Sequence, residues 1–600
     1  GEIDDSLQCF QDALRSKVAD LGQDHPELAS IYQHIGDCLS DQGKTDDAIV
    51  HFNEAIRLKE LDPYGGDERD ADVLTIKGVL HNLKGKQQQG LECYEKALQV
   101  LVTRVSHRKE KVASLLHLIG CVYLVSGEHK KAMKLFEESL QARRKVLGFV
   151  HLDVASTLFN MAFLHQTRNR LDKALKCLEE ALKIRQLRLP DSEKVALTHE
   201  KIGTLARSIG KAKKAEIAFT EALRIRKLIH GEGHVAVATV LQELGDLFDD
   251  LGDYNEASKY YREALKIRHN RLGPEDLAVA ETFYSMGFTL LNQGALDKAL
   301  ECLEESLSIR KFKLGEDAKE CGDTLNTMGF IQAKRNDLED ALQLLWDALR
   351  IRKLQGDKIK ISETLKNIGN VHREKQEYEL AKECYEECLR VRKEELGESE
   401  DDRVADALIA IGNVYSDMNQ PAQAMESYQE ALAIRSRLFG DSDESVAAVL
   451  QYMGTLEFKA KRLDRAFQLL NEFIHIREGN ETEPDGDYVN VLFMIGNIHK
   501  MQGNEGEAQA CWTEAYKIFK ELGLAEGNPQ IAEVMEKLMK DNEGVAGAAA
   551  SSEERYREDE EQDEALSSGA KKKGVFNRLK KKVKAPSSSG KREKGKGQRL

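Results

Sequence analysis

Proline is scarce in this chain, 8 residues in 600, and aromatics make up only 6 %, with two tryptophans. An all-β protein needs turn prolines and β-branched and aromatic residues on its pleated faces, so the composition excludes that class. No run approaches the roughly 18 apolar residues of a membrane-spanning helix. The opening GEIDDSLQCF is acidic, lacks the apolar stretch of a signal peptide and carries no initiator Met. The chain is therefore expected to be a fragment or a processed product. Also missing are a C-x-x-C pair, H-E-x-x-H, G-x-x-x-x-G-K-[ST] and G-x-S-x-G. Without these, no motif-borne metal, phosphate or nucleophile chemistry is expected, and the chain reads as no enzyme and as needing no cofactor.

Charge is present but unevenly spread. The net charge is −15, yet residues 571–600 carry thirteen Lys/Arg against Glu593 alone, net +12, which leaves −27 on residues 1–570. An acidic body repels phosphates, so no nucleic acid is expected on it.

What the chain does have is a repeat. A small residue recurs at Gly36, Gly78, Gly120, Ala162, Gly203, Gly245, Gly287, Gly329, Gly369, Gly412, Gly454 and Gly496, about every 42 residues. Twelve positions after each stands a second small residue, from Ala48 and Gly90 to Ala508. Sixteen after stands a bulky one, such as Phe52, Tyr94, Phe136, Phe219, Tyr261, Leu303, Tyr385, Tyr428 or Trp512. Small residues let two helices approach, and the bulky residue fills the space beside them. Seven after stands Gly or Asn, residues that tolerate the left-handed backbone closing a helix; only Gln376 and Lys461 break the rule. Each unit therefore reads as helix A, a tight turn, helix B and a longer polar loop.

This pattern resembles the tetratricopeptide repeat. Its long period, with tails such as LGQDHPELA at 21–29 and ALKIRHNRLGPEDLAVA at 264–280, is similar to the kinesin light chain and nephrocystin-3 group. The resemblance implies an all-α, right-handed α-α superhelical solenoid of about twelve and a half repeats, followed by a disordered C-terminal tail. It also implies a non-catalytic adaptor that binds protein or peptide partners, motors or cargo adaptors among them, in the cytoplasm. The expected domains are a truncated repeat (1–28, helix B only), twelve repeats (29–528), a capping helix (529–542), a flexible acidic linker (543–570) and a basic tail (571–600).

Three sets of recurring side chains read as structural. Cys9, Cys93, Cys177, Cys302, Cys384 and Cys511 share one register and are expected to be buried small hydrophobes in a reducing compartment. Arg143, Arg185, Arg226, Arg268, Arg310, Arg352, Arg392, Arg435 and Arg477 share another. They could bind a polyanion, but pairing along helix B with acids such as Glu180 and Glu263 accounts for them better. The two histidines of HGEGH (230–234) are expected to be exposed loop residues.

Helix A is expected to line the inner face, with offsets −6, −3, +1 and +4 from the first small residue pointing inward. Around Gly36 this gives Ser30, Gln33, Asp37 and Ser40; around Gly245, Thr239, Gln242, Asp246 and Asp249; around Gly369, Glu363, Lys366, Asn370 and Arg373. Asn326, Asn413 and Asn497 add amides able to hold a peptide backbone, and Tyr284, Phe288 and Phe330 add aromatic surface. The family's carboxylate clamp is matched at Lys366 and Asn370 but not at Ala410, Ala448 and Tyr452, so chaperone-tail binding is not expected.

In the tail, Lys571, Lys572, Lys573, Arg578, Lys580, Lys581 and Lys582 surround Val575, Phe576, Leu579 and Val583, which fall on one side of a helical wheel. Four readings remain open for 571–584: a solvated tail without a partner, contact with an anionic membrane or a calmodulin-like groove, recognition by an import factor giving a nuclear pool, or folding back on the acidic body.

Overall fold

The computed structural model describes residues 2–105, 109–396 and 401–522. The expected capping helix, acidic linker and basic tail, Lys571 to Lys582 and Phe576 included, lie outside the described residues. Two compact units are present, Gly1–Val414 and Tyr415–Leu600. Among the described residues there are twenty-five α-helices and no strand.

The first unit opens on a lone helix, α1 (Glu2–Leu21). Antiparallel A/B pairs follow: α2/α3 (Leu28–Asp41, Thr45–Glu60), α4/α5 (Gly66–Leu83, Gln87–Thr103), α6/α7 (Lys109–Val125, His129–Leu147) and α8/α9 (Leu152–Thr167, Leu171–Arg188). Next come α10/α11 (Glu193–Ser208, Ala212–His230), α12/α13 (Val235–Asp250, Tyr254–Leu272) and α14/α15 (Leu277–Asn292, Leu296–Leu314). The pairs α16/α17 (Lys319–Lys334, Leu338–Gln355) and α18/α19 (Lys358–Glu374, Tyr378–Leu396) lead to α20 (Asp402–Asp417), which spans the division. The second unit continues with α21 (Pro421–Phe439), α22/α23 (Glu444–Lys459, Leu463–Gly479) and α24/α25 (Gly486–Met501, Glu505–Glu521).

The pairing follows from the small–bulky code. A Cβ added at Gly78 would sit 2.4 Å from Tyr94, at Gly245 2.5 Å from Tyr261, and at Gly496 2.5 Å from Trp512. The glycines thus open the notch in helix A that the helix B ring fills. Tyr94, Phe136, Phe219, Tyr261 and Tyr385 are all buried there. Helix starts are set locally: Ser192, Asp253, Asp276 and Asp443 each accept a backbone N–H from the first turn of α10, α13, α14 and α22.

Gln376 and Lys461 adopt the same left-handed turn as the glycines, at φ 62° and 58°. The sequence exception is therefore no structural exception: the pair geometry imposes the turn, and a residue with a Cβ bears the local strain.

The arginine register is buried, each side chain between 4 % and 8 % exposed. This rejects the polyanion reading and corrects the pairing. Glu180 bonds Arg144, and Glu263 faces Lys227. Arg143, Arg185, Arg268, Arg310 and Arg352 instead reach forward from helix B to the first turn of the next helix A, whereas Arg226 pairs with Glu193 and Glu200 on α10, the helix A of its own pair. Arg143 donates to the Asp153 carbonyl (2.7 Å) and Thr157 Oγ1 (2.9 Å). The same two bonds recur from Arg185 to Lys194 and Thr198, from Arg310 to Glu320 and Thr324, and from Arg352 to Lys360 and Thr364. Burial pushes the Arg185 guanidinium down to about 10. A buried cation needs fixed acceptors, and a helix start provides a carbonyl whose own helix partner is the threonine hydroxyl.

The cysteines are all free thiols, but their burial is uneven: Cys384 is buried, Cys93, Cys177, Cys302 and Cys511 are half-buried, and Cys9 is exposed. Cys9 sits on α1. The HGEGH reading holds for His234, which is exposed ahead of α12, and is corrected for His230. His230 is the last residue of α11, half-buried against Glu193 (3.0 Å), and its ring stacks on His234, which caps α12.

Candidate functional site

In the first unit, the A helices α10, α12, α14, α16 and α18 touch one another in succession. Their shared face carries the residues that the offset rule selects. The rule holds for some positions and fails for others.

At offset −3 the side chain points sideways to the next helix A. Gln242 donates to Ser285 Oγ (2.9 Å), Tyr284 Oη lies 3.3 Å from Thr327 Oγ1, and Asn367 Nδ2 donates to Asn326 Oδ1 (3.2 Å). In each case the −3 residue of one repeat meets the −2 residue of the following one. Neighbouring A helices are close enough that a polar −3 side chain bonds across the seam before it reaches solvent. Gln242 is buried as a result. Tyr284 is half-buried, with the Arg310 guanidinium 4.6 Å from its ring centroid.

The region around α12 is closed by such bonds. Asp246 accepts from Tyr261 Oη (2.7 Å) and Gln242 (3.2 Å) and pairs with Arg207 (3.3 Å). Arg207 also pairs with Glu243 and Asp250. Asp249 accepts from Thr289 (2.6 Å). Burial raises the Glu243 and Asp249 carboxyls above their usual range, and nearby acids add to that rise. Around Gly36, burial and Asp41 raise Asp37 to about 6.

The region from α14 to α18 is open. Phe288 and Phe330, both at +1 on consecutive A helices, are 43 % and 36 % exposed. Together with Leu291, Asn326 and Asn367 they line a pocket of about 380 Å³. Lys334, at its rim, stands 5.2 Å from the Phe330 ring centroid and has no ion pair among the described residues. Two rings and Leu291 form the apolar wall, and the Asn326–Asn367 pair forms the polar floor.

The remaining expected residues are placed elsewhere. Lys366 lies 3.9 Å from Asp406. Asn370 Oδ1 accepts the Tyr385 hydroxyl (2.6 Å), so this amide serves its own repeat. Arg373 and Asn413 are half-buried and engaged by neighbours. Asn497 lies on α24 of the second unit. Offsets −2 and +5, which supply Asn367, Thr327, Asn292 and Lys334, escaped the sequence rule. The recurrence of polar residues at −2 after a polar −3 was the available signal.

No group of three or more His, Cys, Asp or Glu able to hold a metal occurs among the described residues, and no described helix is long and apolar enough to cross a membrane.

No curated protein matches the chain. The crystal structure of BtubC (BKLC) from P. vanneervenii is similar over 42 % of this chain and 93 % of that one, at 23 % identity and a TM-score of 0.33. The family profile described as tetratricopeptide repeat matches residues 1–60, 70–145, 153–227, 194–269, 278–353, 360–437 and 404–479. Such repeats are general protein–protein interaction modules, and with matches along most of its repeat body, the chain belongs to the tetratricopeptide-repeat family.

Proposed function

We propose that this protein is a non-catalytic adaptor of the kinesin light chain type, in the cytoplasm, and that it captures extended segments of partner proteins on the helix A face between α14 and α18. The observation that carries this reading is the pocket itself. Phe288 and Phe330 present apolar surface that the repeat does not use. The amides of Asn326 and Asn367 lie beside it and can bond a peptide backbone. An extended peptide needs this combination: a slot for a side chain and fixed polar groups for its main chain. Motor or cargo-adaptor proteins are the partners proposed. The test is cross-linking mass spectrometry on the full chain purified from its own cell. Partner cross-links should fall on α14, α16 and α18, and the pair Asn326→Ala with Phe330→Ala should abolish them. Cross-links unchanged in that variant would end the reading.

A second reading rests on the tail's composition. Lysines surrounding Val575, Phe576, Leu579 and Val583 suit an anionic membrane, an import factor or a calmodulin-like groove. On this reading residues 571–584 direct the adaptor to a membrane surface or the nucleus, or cover the helix A face. Phe576→Asp should then shift its location without changing the cross-links on α14 to α18 in partner-saturated samples.

A further inference from the structure

The last described helix B, α25, departs from the others at one register. Nine consecutive repeats, from Arg143 to Arg477, carry an arginine there; α25 carries Phe519. About one turn earlier stands Tyr516, half-buried, in the register of Leu182, Leu223 and Leu265. Those leucines pack against the Val–Ala pair that opens the next helix A: Val195-Ala196, Val237-Ala238 and Val279-Ala280. At the two registers by which a helix B holds the following helix A, α25 thus has two aromatic rings and no cation.

The sequence beyond α25, outside the described residues, supplies a matching face. Ile531, Ala532, Val534, Met535 and Leu538 reproduce the spacing of Val237, Ala238, Val240, Leu241 and Leu244, the buried face of α12. Asn528 falls where Asp276 and Asp443 cap α14 and α22, and Pro529 follows it, a residue suited to the first helical position. Counted from Gly496, the notch glycine is due at 539, a step of 43 that the chain also takes from Gly369 to Gly412. Met539 stands there. At every earlier repeat this position is glycine, or alanine at 162. A Cβ at Gly245, Gly454 or Gly496 would already lie 2.5 Å from the side chain that helix B inserts. A methionine fills the notch from its own side, so no helix B can close on it. Nor does the chain offer one: Arg555 stands where each repeat has its bulky residue. We propose that residues 528–540 form a thirteenth helix A docked on α24 and α25, and that Met539 ends the solenoid there. Val534 then stands opposite Phe519, an apolar pair in place of the bond between Arg143 and Thr157. The occupant is this segment because it carries the helix A code in register and only residues 523–527 separate it from Leu522. A stack of repeats needs such a cover on its last apolar face.

Hydrogen exchange of the full chain, read by mass spectrometry, tests the assignment. Amides of 531–540 should exchange about tenfold or more slower than an unprotected chain, at every protein concentration. Met535→Asp should abolish that protection and speed exchange in α24 and α25 about tenfold. Met535→Ala, a milder change, should give a smaller increase in the same helices. Glu533→Lys, at the offset of the exposed Thr239, should change nothing. Unprotected amides at 531–540 in the unaltered chain would overturn the proposal. So would protection lost in Glu533→Lys but kept in Met535→Asp, or protection of α25 that appears only at high protein concentration, the mark of a second copy seated there.

Discussion

The helix A faces around α12 and around α14 to α18 share one register and one scaffold, yet one is closed and the other open. Around α12 the inward residues are acids and an amide, and the protein itself supplies their partners: Arg207, Tyr261, Thr289 and Ser285. Around α14 and α16 the inward residues include Phe288 and Phe330, which no hydrogen bond can satisfy and whose rings stay partly exposed. Polar groups at a repeat seam find each other, because an unpaired buried donor or acceptor costs more than the bond gains. Rings at the same seam remain available to a partner. Register tells where a side chain points, and its chemistry decides whether the scaffold consumes it.

The comparison can be broken most forcefully at a seam of the closed region. Arg268 donates to Gln242, to the Ala278 carbonyl and to Thr282. Arg268→Ala leaves those acceptors buried and should destabilise the α12–α14 region by about 3 kcal/mol, read as faster amide exchange there. Arg268→Met, which keeps the volume, should lose less.

Acid should open a different seam. His117 on α6 is held neutral, pushed down to about 3 by burial and then by Arg143. Between that value and its unfolded value near 6.5, the unfolded chain binds the extra proton, so stability present above about pH 6.5 is lost as pH falls. From pH 7 to pH 5 the α6–α8 region should lose about 1 to 2 kcal/mol, and His117→Gln should remove most of that loss in exchange measurements at the two pH values.

The open region is sharpened by binding. For a partner peptide held at α14 to α18, Phe330→Ala should weaken affinity about tenfold by fluorescence anisotropy, and Asp246→Asn at the closed face less than about twofold. Equal effects would erase the distinction between the regions.

The smallest effect concerns turns outside both regions. Gln376→Gly and Lys461→Gly should each raise the urea midpoint, by about 0.5 kcal/mol of stability, because the left-handed strain relieved slightly exceeds the chain entropy lost.

Much of this was legible in the chain. Gly245 with Tyr261, or Gly78 with Tyr94, announces the helix pair, since a missing Cβ and a ring sixteen residues later have one use in a two-helix unit. Phe288, Phe330 and Asn326 were also found by offset. Less legible were bonds between repeats. The partners of Arg143 or Arg310 are a threonine and a carbonyl of the following repeat, and only a threonine at −5 hinted at them. Asn370 looked like a peptide-holding amide until Tyr385 proved to occupy it.

The sequence by itself determined the helix pair, its period and the family, because those depend on side-chain volume within one unit of about 42 residues. The tertiary structure alone decided which inward residues remain for a partner and which arginines are glue. These depend on distances between successive repeats, where a shift of an ångström makes or breaks a hydrogen bond, and no periodicity within the chain encodes that distance.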